Sequence, residues 1–351
     1  MTRQELFSIQ VEELESKYYR KVKTKWDSIA KPLDSLGVFE SMTARIAAVQ
    51  KTERPSCSKA AVLVMCADNG VVEENISQSG QEVTALVAEN MGKGKSSVCL
   101  MAKAGDVQVI PIDIGINKAE KLENVLDCKV AMGTRNFVKE PAMTEQQAIQ
   151  AIFTGMKLVQ DCKEKGYDIL ATGEMGIGNT TTSSALAAEL LSCNPESVTG
   201  KGAGLNEQGL LHKCNVIRDA LQRYAPFKDP LYLLQCVGGL DIAGMAGICI
   251  GAGIYGVPVV LDGVISVVAA VLANRIVPGV KNYLIASHKS KEPAAEKLLQ
   301  ELRLKPVLDA ELALGEGTGA VLLLAMLKPV MAVFYGESTF RTIHMDPYER
   351  L

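Results

Sequence analysis

Two glutamates stand inside glycine-rich loops, and each loop lies where a strand-like run gives way to a helix-like one. The first is Glu174, in Gly173-Glu-Met-Gly-Ile-Gly-Asn-Thr-Thr-Thr182, between the apolar run Tyr167–Ala171 and the helical pattern Ala185–Leu191. A glycine-rich turn at a helix start leaves backbone N–H groups unpaired and adds the positive end of the helix dipole, which together cradle a phosphate. Gly176, Ile177, Gly178, Asn179 and Thr180 are the candidates for that cradle. A carboxylate there would repel the same phosphate, so Glu174 is better suited to chemistry at a carbon near it. The second loop is Gly315-Glu-Gly-Thr-Gly319, in which glycines flank Glu316 and let backbone approach a ligand while the carboxylate projects. A glutamate in an apolar cleft has a raised pKa and is suited to act as a general base. Plainer readings stay open on the residues alone: the first loop as a tight turn capping a helix, and Glu316 as a partner of the helix N-terminus after it.

Other candidates are weaker. Asp68 and Asp262 end strand-like runs and read most simply as caps of the helices that follow. Lys213 falls on a polar helix near Gly209–Arg223, where a solvated lysine is the ordinary outcome. Ser287 and His288 are adjacent on an extended segment, which points their side chains to opposite sides and disfavours a nucleophile–base dyad. Neither a Walker A ending, nor G-x-G-x-x-G, nor a G-x-S-x-G elbow is present.

The elements that must position these residues alternate. Strand-like runs Ala60–Cys66, Val107–Ile112, Tyr167–Ala171, Leu231–Val237, Val257–Leu261 and Tyr283–Ala286 are separated by helical patterns. Among those patterns are Glu82–Ala102 and a helix opened by the capping box Thr144…Gln147. Residues 1–50 read as amphipathic helices, with Val11, Leu14 and Tyr18 on one face and a Pro/Gly turn at Lys31–Gly37. This is an α/β chain with a mostly parallel, Rossmann-like sheet covered by helices. Its strand-end loops at Asp68, Glu174, Asp241, Asp262 and Ser287 converge on one cleft.

Composition removes several function classes. A charge of −3 and 5% aromatic residues give no footprint for nucleic acid. Nine cysteines without a C-x-x-C pair, and only three histidines, argue for small buried hydrophobes in a reducing cytoplasm rather than a metal site. No export signal opens the chain. The uncharged stretch Ile242–Val260 is long enough to span a bilayer, but its glycines and Pro258 favour a buried helix followed by a strand.

Taken with Gly238-Gly-Leu-Asp-Ile-Ala-Gly-Met-Ala-Gly247 and Lys31-Pro-Leu-Asp-Ser-Leu-Gly37, the two loops resemble the nicotinate-nucleotide:dimethylbenzimidazole phosphoribosyltransferase family, in matching order from about residue 30 to 330. That family activates the lower ligand of cobalamin. The resemblance implies transfer of ribose 5-phosphate from nicotinate mononucleotide to 5,6-dimethylbenzimidazole, giving α-ribazole 5′-phosphate and nicotinate, with no cofactor and no metal. It implies an α/β domain over 59–310 and a smaller helical domain built from 1–58 and 311–351, in a homodimer with the site near the subunit interface. Glu316 corresponds to the general base, and Glu174 with Gly176, Gly178, Asn179 and Thr180 to the nucleotide loop. Lys213 and Ser287 correspond to phosphate-side positions; Ser79, Gln81 and Leu314 correspond to the region around the base. Two departures are visible: Asp68-Asn69-Gly70 where many members have Asp-His-Gly, and Ser77-Gln-Ser-Gly80 where many have an aromatic residue or proline. The second keeps phenolic and purine bases open. A hydrolase of nicotinate mononucleotide, or one subunit of a paralogous pair, would also carry these loops.

Overall fold

The computed structural model describes residues 1–202 and 204–350. In chain order its first elements are α1 Arg3–Ser8, α2 Ser16–Ser28, α3 Val38–Gln50, β1 Ala60–Ala67, α4 Glu82–Gly92, α5 Ser97–Gly105, β2 Gln108–Gly115, β3 Leu126–Asp127 and α6 Glu145–Glu164. There follow β4 Ile169–Met175, α7 Asn179–Leu190, α8 Glu207–Tyr224, α9 Pro230–Val237, α10 Leu240–Tyr255, β5 Val259–Leu261, α11 Val264–Ile276, β6 Leu284–Ala286, α12 Ala295–Leu302 and α13 Thr318–Phe334. The strands form one sheet in the order β3-β2-β1-β4-β5-β6, and every pairing is parallel. That is the doubly wound, Rossmann-like order.

Strand β1 shows why the expected apolar runs are continuous. Every residue of it is buried; Ala61, Leu63, Met65 and Ala67 pack into the core on one face, and Val62, Val64 and Cys66 into the core on the other. Helices cover both faces, so alternation of side chains does not appear as alternation of polarity. A third, smaller core joins the two ends of the chain: Val22, Trp26, Ala44 and Ala47 pack against Val330 and Phe334 of α13. The Trp26 ring lies 5.1 Å from that of Phe334, and its indole N–H donates to Thr43 Oγ1 at 2.7 Å.

The uncharged stretch after Asp241 is α10 followed by β5, both buried. Its glycines serve close helix packing. A Cβ on Gly155 of α6 would sit 2.0 Å from the Gly244 carbonyl oxygen, and one on Gly247 would sit 2.0 Å from that of Ile152. The two backbones touch, which only glycine allows. Among the described residues no helix is long and apolar enough to cross a membrane.

Three local expectations are corrected. Leu231–Val237 is helix α9, because Asp229 Oδ1 accepts the N–H groups of Leu231 and Tyr232 at 2.9 and 3.0 Å and Pro230 takes the first position. Short apolar runs do not distinguish strand from helix, and the Asp-Pro start was the deciding signal. Glu82–Ala102 is two helices, parted where Gly94 turns left-handed and Ser96 caps α5. Residues 9–15 link α1 to α2 outside either helix, so Val11 and Leu14 share no helix face with Tyr18.

Candidate active site

Four loops at the carboxyl ends of β1, β4, β5 and β6 gather where the strand order reverses, between β1 and β4. With the loop before α13, those after β4, β5 and β6 enclose a cleft of about 200 Å³. Glu174, Gly176, Ile177, Asn179, Thr180, Leu314 and Glu316 all line it.

The glycine-rich loop is pinned from below. Ile177 N–H donates to Thr84 Oγ1 of α4 at 3.1 Å, and a Cβ on Gly176 would lie 2.4 Å from the Ala67 carbonyl oxygen. Gly178, left-handed at φ 93°, caps α7, so the helix starts at Asn179 and presents its N-terminus to the cleft. The Asn179 amide donates to Glu174 Oε2 and, at 3.1 Å, to Asp241 Oδ2, tying the partly buried Glu174 carboxyl to the buried one of Asp241. Of the hydroxyl run, Thr180 faces the cleft, whereas Thr181–Ser184 are buried along the helix. Lys213 is fully buried rather than solvated: its Nζ donates to Thr180 Oγ1 at 2.9 Å and to the Gly200 carbonyl at 3.3 Å. Burial pulls its pKa down to about 8, against the opposing pull of Glu292. A buried ammonium ion behind a helix N-terminus is an arrangement that suits an anion.

The second glutamate loop is held by a carboxylate from another strand. Asp262, at the end of β5, accepts the N–H groups of Gly317 at 3.2 Å and Ala320 at 3.1 Å. It therefore caps α13, not the helix that follows it in sequence. Gly315, Glu316 and Gly317 are left-handed in succession, with φ of 82°, 60° and 93°. For a glutamate this costs about 1–2 kcal/mol, a strain of the kind concentrated at functional sites. The backbone is wedged there: a Cβ on Gly173 would lie 2.6 Å from the Glu316 carbonyl oxygen, and one on Gly315 would lie 2.6 Å from Glu174 Oε1. The two glutamate loops thus pack on each other. Glu316 Oε2 is buried without a hydrogen-bond partner, and burial raises the Glu316 pKa against the opposing Val98 N–H.

Burial, with the Asp241 charge second, raises the Glu174 carboxyl to about 8, against the Asn179 hydrogen bond. Burial alone is the leading cause that lifts Asp241 and Asp262 to about 6 each. Burial thus favours the protonated form of Glu174 at neutral pH.

Other expected residues fall around this centre. Ser287 is fully buried beneath the cleft; its hydroxyl donates to the Asp262 carbonyl at 3.2 Å and lies 2.9 Å from His288 Nδ1. The adjacent pair does meet, contrary to the alternation argument, because the strand ends at Ala286. His288 lines the cleft, with its ring against Gly319 and its pKa lowered by burial. Gln81 lies one layer out, donating to the Asn69 carbonyl at 3.1 Å; Ser79 is partly buried in the same loop and, like Gln81, does not line the cleft. Asn69 itself is buried next to Gly176 and Gly178. Asp68 accepts the Asn117 N–H at 2.8 Å and caps no helix of its own. The carboxylates of Asp27, Asp34 and Glu40 lie within 4.8 Å of one another, but Arg350, Lys23 and Lys31 pair with them. His288, disfavoured by sequence alternation as a dyad partner, and Asp241, expected only as one of the converging loop positions after Gly238-Gly-Leu, both take part in the site, His288 in its lining and Asp241 through Asn179.

These carboxyls fix how stability depends on pH. Glu174 binds its proton up to about 8 in the folded chain but only to its ordinary value of 4.5 when unfolded. Its contribution is full below 4.5 and is lost as pH rises through about 8, because the folded state holds the extra proton in that window. Asp241 and Asp262 add the same trend between 3.8 and about 6. Urea unfolding of the unliganded protein is expected to show lower stability at pH 8 than at pH 6, and Glu174→Gln is expected to flatten that slope. Parallel curves for the two proteins would contradict the protonated Glu174.

Comparison with known proteins agrees over the full length. A phosphoribosyltransferase family model matches residues 11–343. The nicotinate-nucleotide–dimethylbenzimidazole phosphoribosyltransferase of Clostridium acetobutylicum is 38% identical over 339 residues, 96% of each chain. That of Acetivibrio thermocellus is 40% identical over 329 residues, 93% of this chain and 94% of its own. The crystal structure of CobT from Thermus thermophilus superposes with a TM-score of 0.89 at 36% identity, covering 94% of this chain and 99% of that one.

Proposed function

This chain belongs to the nicotinate-nucleotide–dimethylbenzimidazole phosphoribosyltransferase family, and we propose how its cleft does that family's chemistry. The reaction moves ribose 5-phosphate from nicotinate mononucleotide to 5,6-dimethylbenzimidazole, giving α-ribazole 5′-phosphate and nicotinate. One observation carries the assignment of parts: Thr180, backed by the buried Lys213 ammonium, and Glu316, with a buried, unpartnered carboxylate oxygen, line one cleft.

The 5′-phosphate sits at the positive end of α7, beside the Gly176–Asn179 loop, with Thr180 and Lys213 behind it. Nicotinate, cationic on the ribose, leaves as a neutral ring nitrogen, so departure needs little acid assistance. One nitrogen of the incoming base attacks the opposite face of C1′ through an oxocarbenium-like transition state, and inversion turns β into α. The proton on the base's other nitrogen grows acidic as charge develops, and Glu316 accepts it. Glu316 starts without a partner for Oε2 and with a raised pKa, both of which favour accepting a proton. Glu174, favoured in its protonated form, does not repel phosphate; it donates to a ribose hydroxyl, aligned by Asn179. Holding two substrates in line contributes up to about 7–11 kcal/mol. Ser287 acts from beneath, supporting the Asp262 backbone, and the aromatic base rests against Leu314, which is 53% exposed at the mouth. Ser79 and Gln81 stand one layer outside the base, on the β1 side.

The proposal extends to a homodimer acting in the cytoplasm. Exposed Leu314 at the mouth supports a partner near the site, and nine unpaired thiols suit a reducing compartment. The third core supports a helical unit made from both chain ends. No observation favours the hydrolase or the paralogous pair. Mass spectrometry of products from nicotinate mononucleotide and a panel of benzimidazoles, purines and phenols tests the reading. A ribose-phosphate adduct with dimethylbenzimidazole is expected; free ribose 5-phosphate without an adduct would overturn it.

A further inference from the structure

A second cavity of about 200 Å³ lies away from the cleft, between α2 and α3 on one side and the outer edge of β6 on the other. Three cationic side chains line it, Arg45 from α3 and Arg303 and Lys305 from the segment after α12, and no carboxylate does. Arg45 is half-buried, and a single N–H of its guanidinium is used, donating to the Leu284 carbonyl at 3.0 Å. None of the three cations makes an ion pair among the described residues; the nearby acid Glu301 is held by Arg275 at 2.7 Å. Tyr19 and Ser41 add hydroxyls, while Val38, Met42 and Leu304 form an apolar wall. Three like charges around one hollow repel each other, and burial penalises the deepest of them. An anion bound there would remove both costs, and guanidinium forks match phosphate oxygens.

We propose that this cavity is a second anion site, separate from the active cleft, that takes the phosphate group of a small phosphomonoester. The apolar wall of Val38, Met42 and Leu304 beside the three cations suits a phosphate that carries a sugar or one ring. Neither the reaction nor the residues assigned to it depend on this site.

Isothermal titration at low salt with inorganic phosphate and with ribose 5-phosphate tests the proposal on Lys213→Gln protein, in which the cleft's own phosphate site is crippled. One equivalent of ligand is expected to bind. Adding Arg303→Glu and Lys305→Glu, both on exposed side chains, is expected to weaken that binding at least tenfold. In the otherwise native protein the same two changes are expected to leave turnover within about twofold. Equal affinity for the two ligands would identify free phosphate as the occupant, and tighter ribose 5-phosphate would identify a phosphomonoester, the first of these correcting the ligand named above. Absence of binding to Lys213→Gln protein, or binding unchanged by the charge reversals, would overturn the site itself.

Discussion

Glu316→Gln is expected to lower turnover by about 100- to 10,000-fold, the range a positioned general base supplies. Binding of nicotinate mononucleotide should stay measurable. The substitution keeps the shape of a side chain whose backbone is fixed by neighbours: Asp262 holds the Gly317 and Ala320 N–H groups, and Gly173 leaves room for the Glu316 carbonyl. The loop therefore survives the change, and what is lost is the proton acceptor. Steady-state kinetics read the effect as a fall in kcat with KM for nicotinate mononucleotide little altered, since the interaction is made in the transition state. Near-native kcat would remove Glu316 from the role of base.

Lys213→Met is expected to act on the other substrate term. Removing one partner of a buried charged hydrogen bond costs about 2–5 kcal/mol, which is roughly 30- to 5,000-fold in affinity. Nicotinate mononucleotide binding should weaken by that factor. The unliganded protein should become more stable, because a thioether is buried in place of an ammonium whose pKa burial has drawn down to about 8. The stability gain should be largest below pH 8, where the folded lysine is charged, and should fade as pH rises toward the unfolded value of 10.5. Tighter binding and higher stability cannot both follow from a phosphate-binding lysine, so the pair of measurements is decisive.

The sequence carried the frame of this site for a physical reason. Strands buried on both faces must be apolar throughout, as in Ala60–Ala67, and a parallel sheet must send its loops to one end. Glu174 and Glu316 were legible because glycine density is unusual and local. What stayed hidden depends on tertiary neighbours. Asp262 looks like a cap for the next helix, yet it caps α13, more than fifty residues later, because β5 and α13 meet only in the folded chain. Lys213 sits in a polar helical pattern, and nothing local says that Thr180 and Gly200 enclose its ammonium. His288 was set aside by an alternation rule that ends with the strand at Ala286. Asp229-Pro230 shows the opposite case, a local signal outweighed by the apolar run after it.

The most direct test of the two-carboxylate cleft is the configuration of its product. Proton NMR of the adduct formed from nicotinate mononucleotide and dimethylbenzimidazole reports the anomer at C1′. In-line attack from the face opposite the leaving nicotinate, with Glu316 taking the base's proton, predicts the α anomer alone. A β product, or a mixture of anomers, would contradict the single displacement on which the account rests.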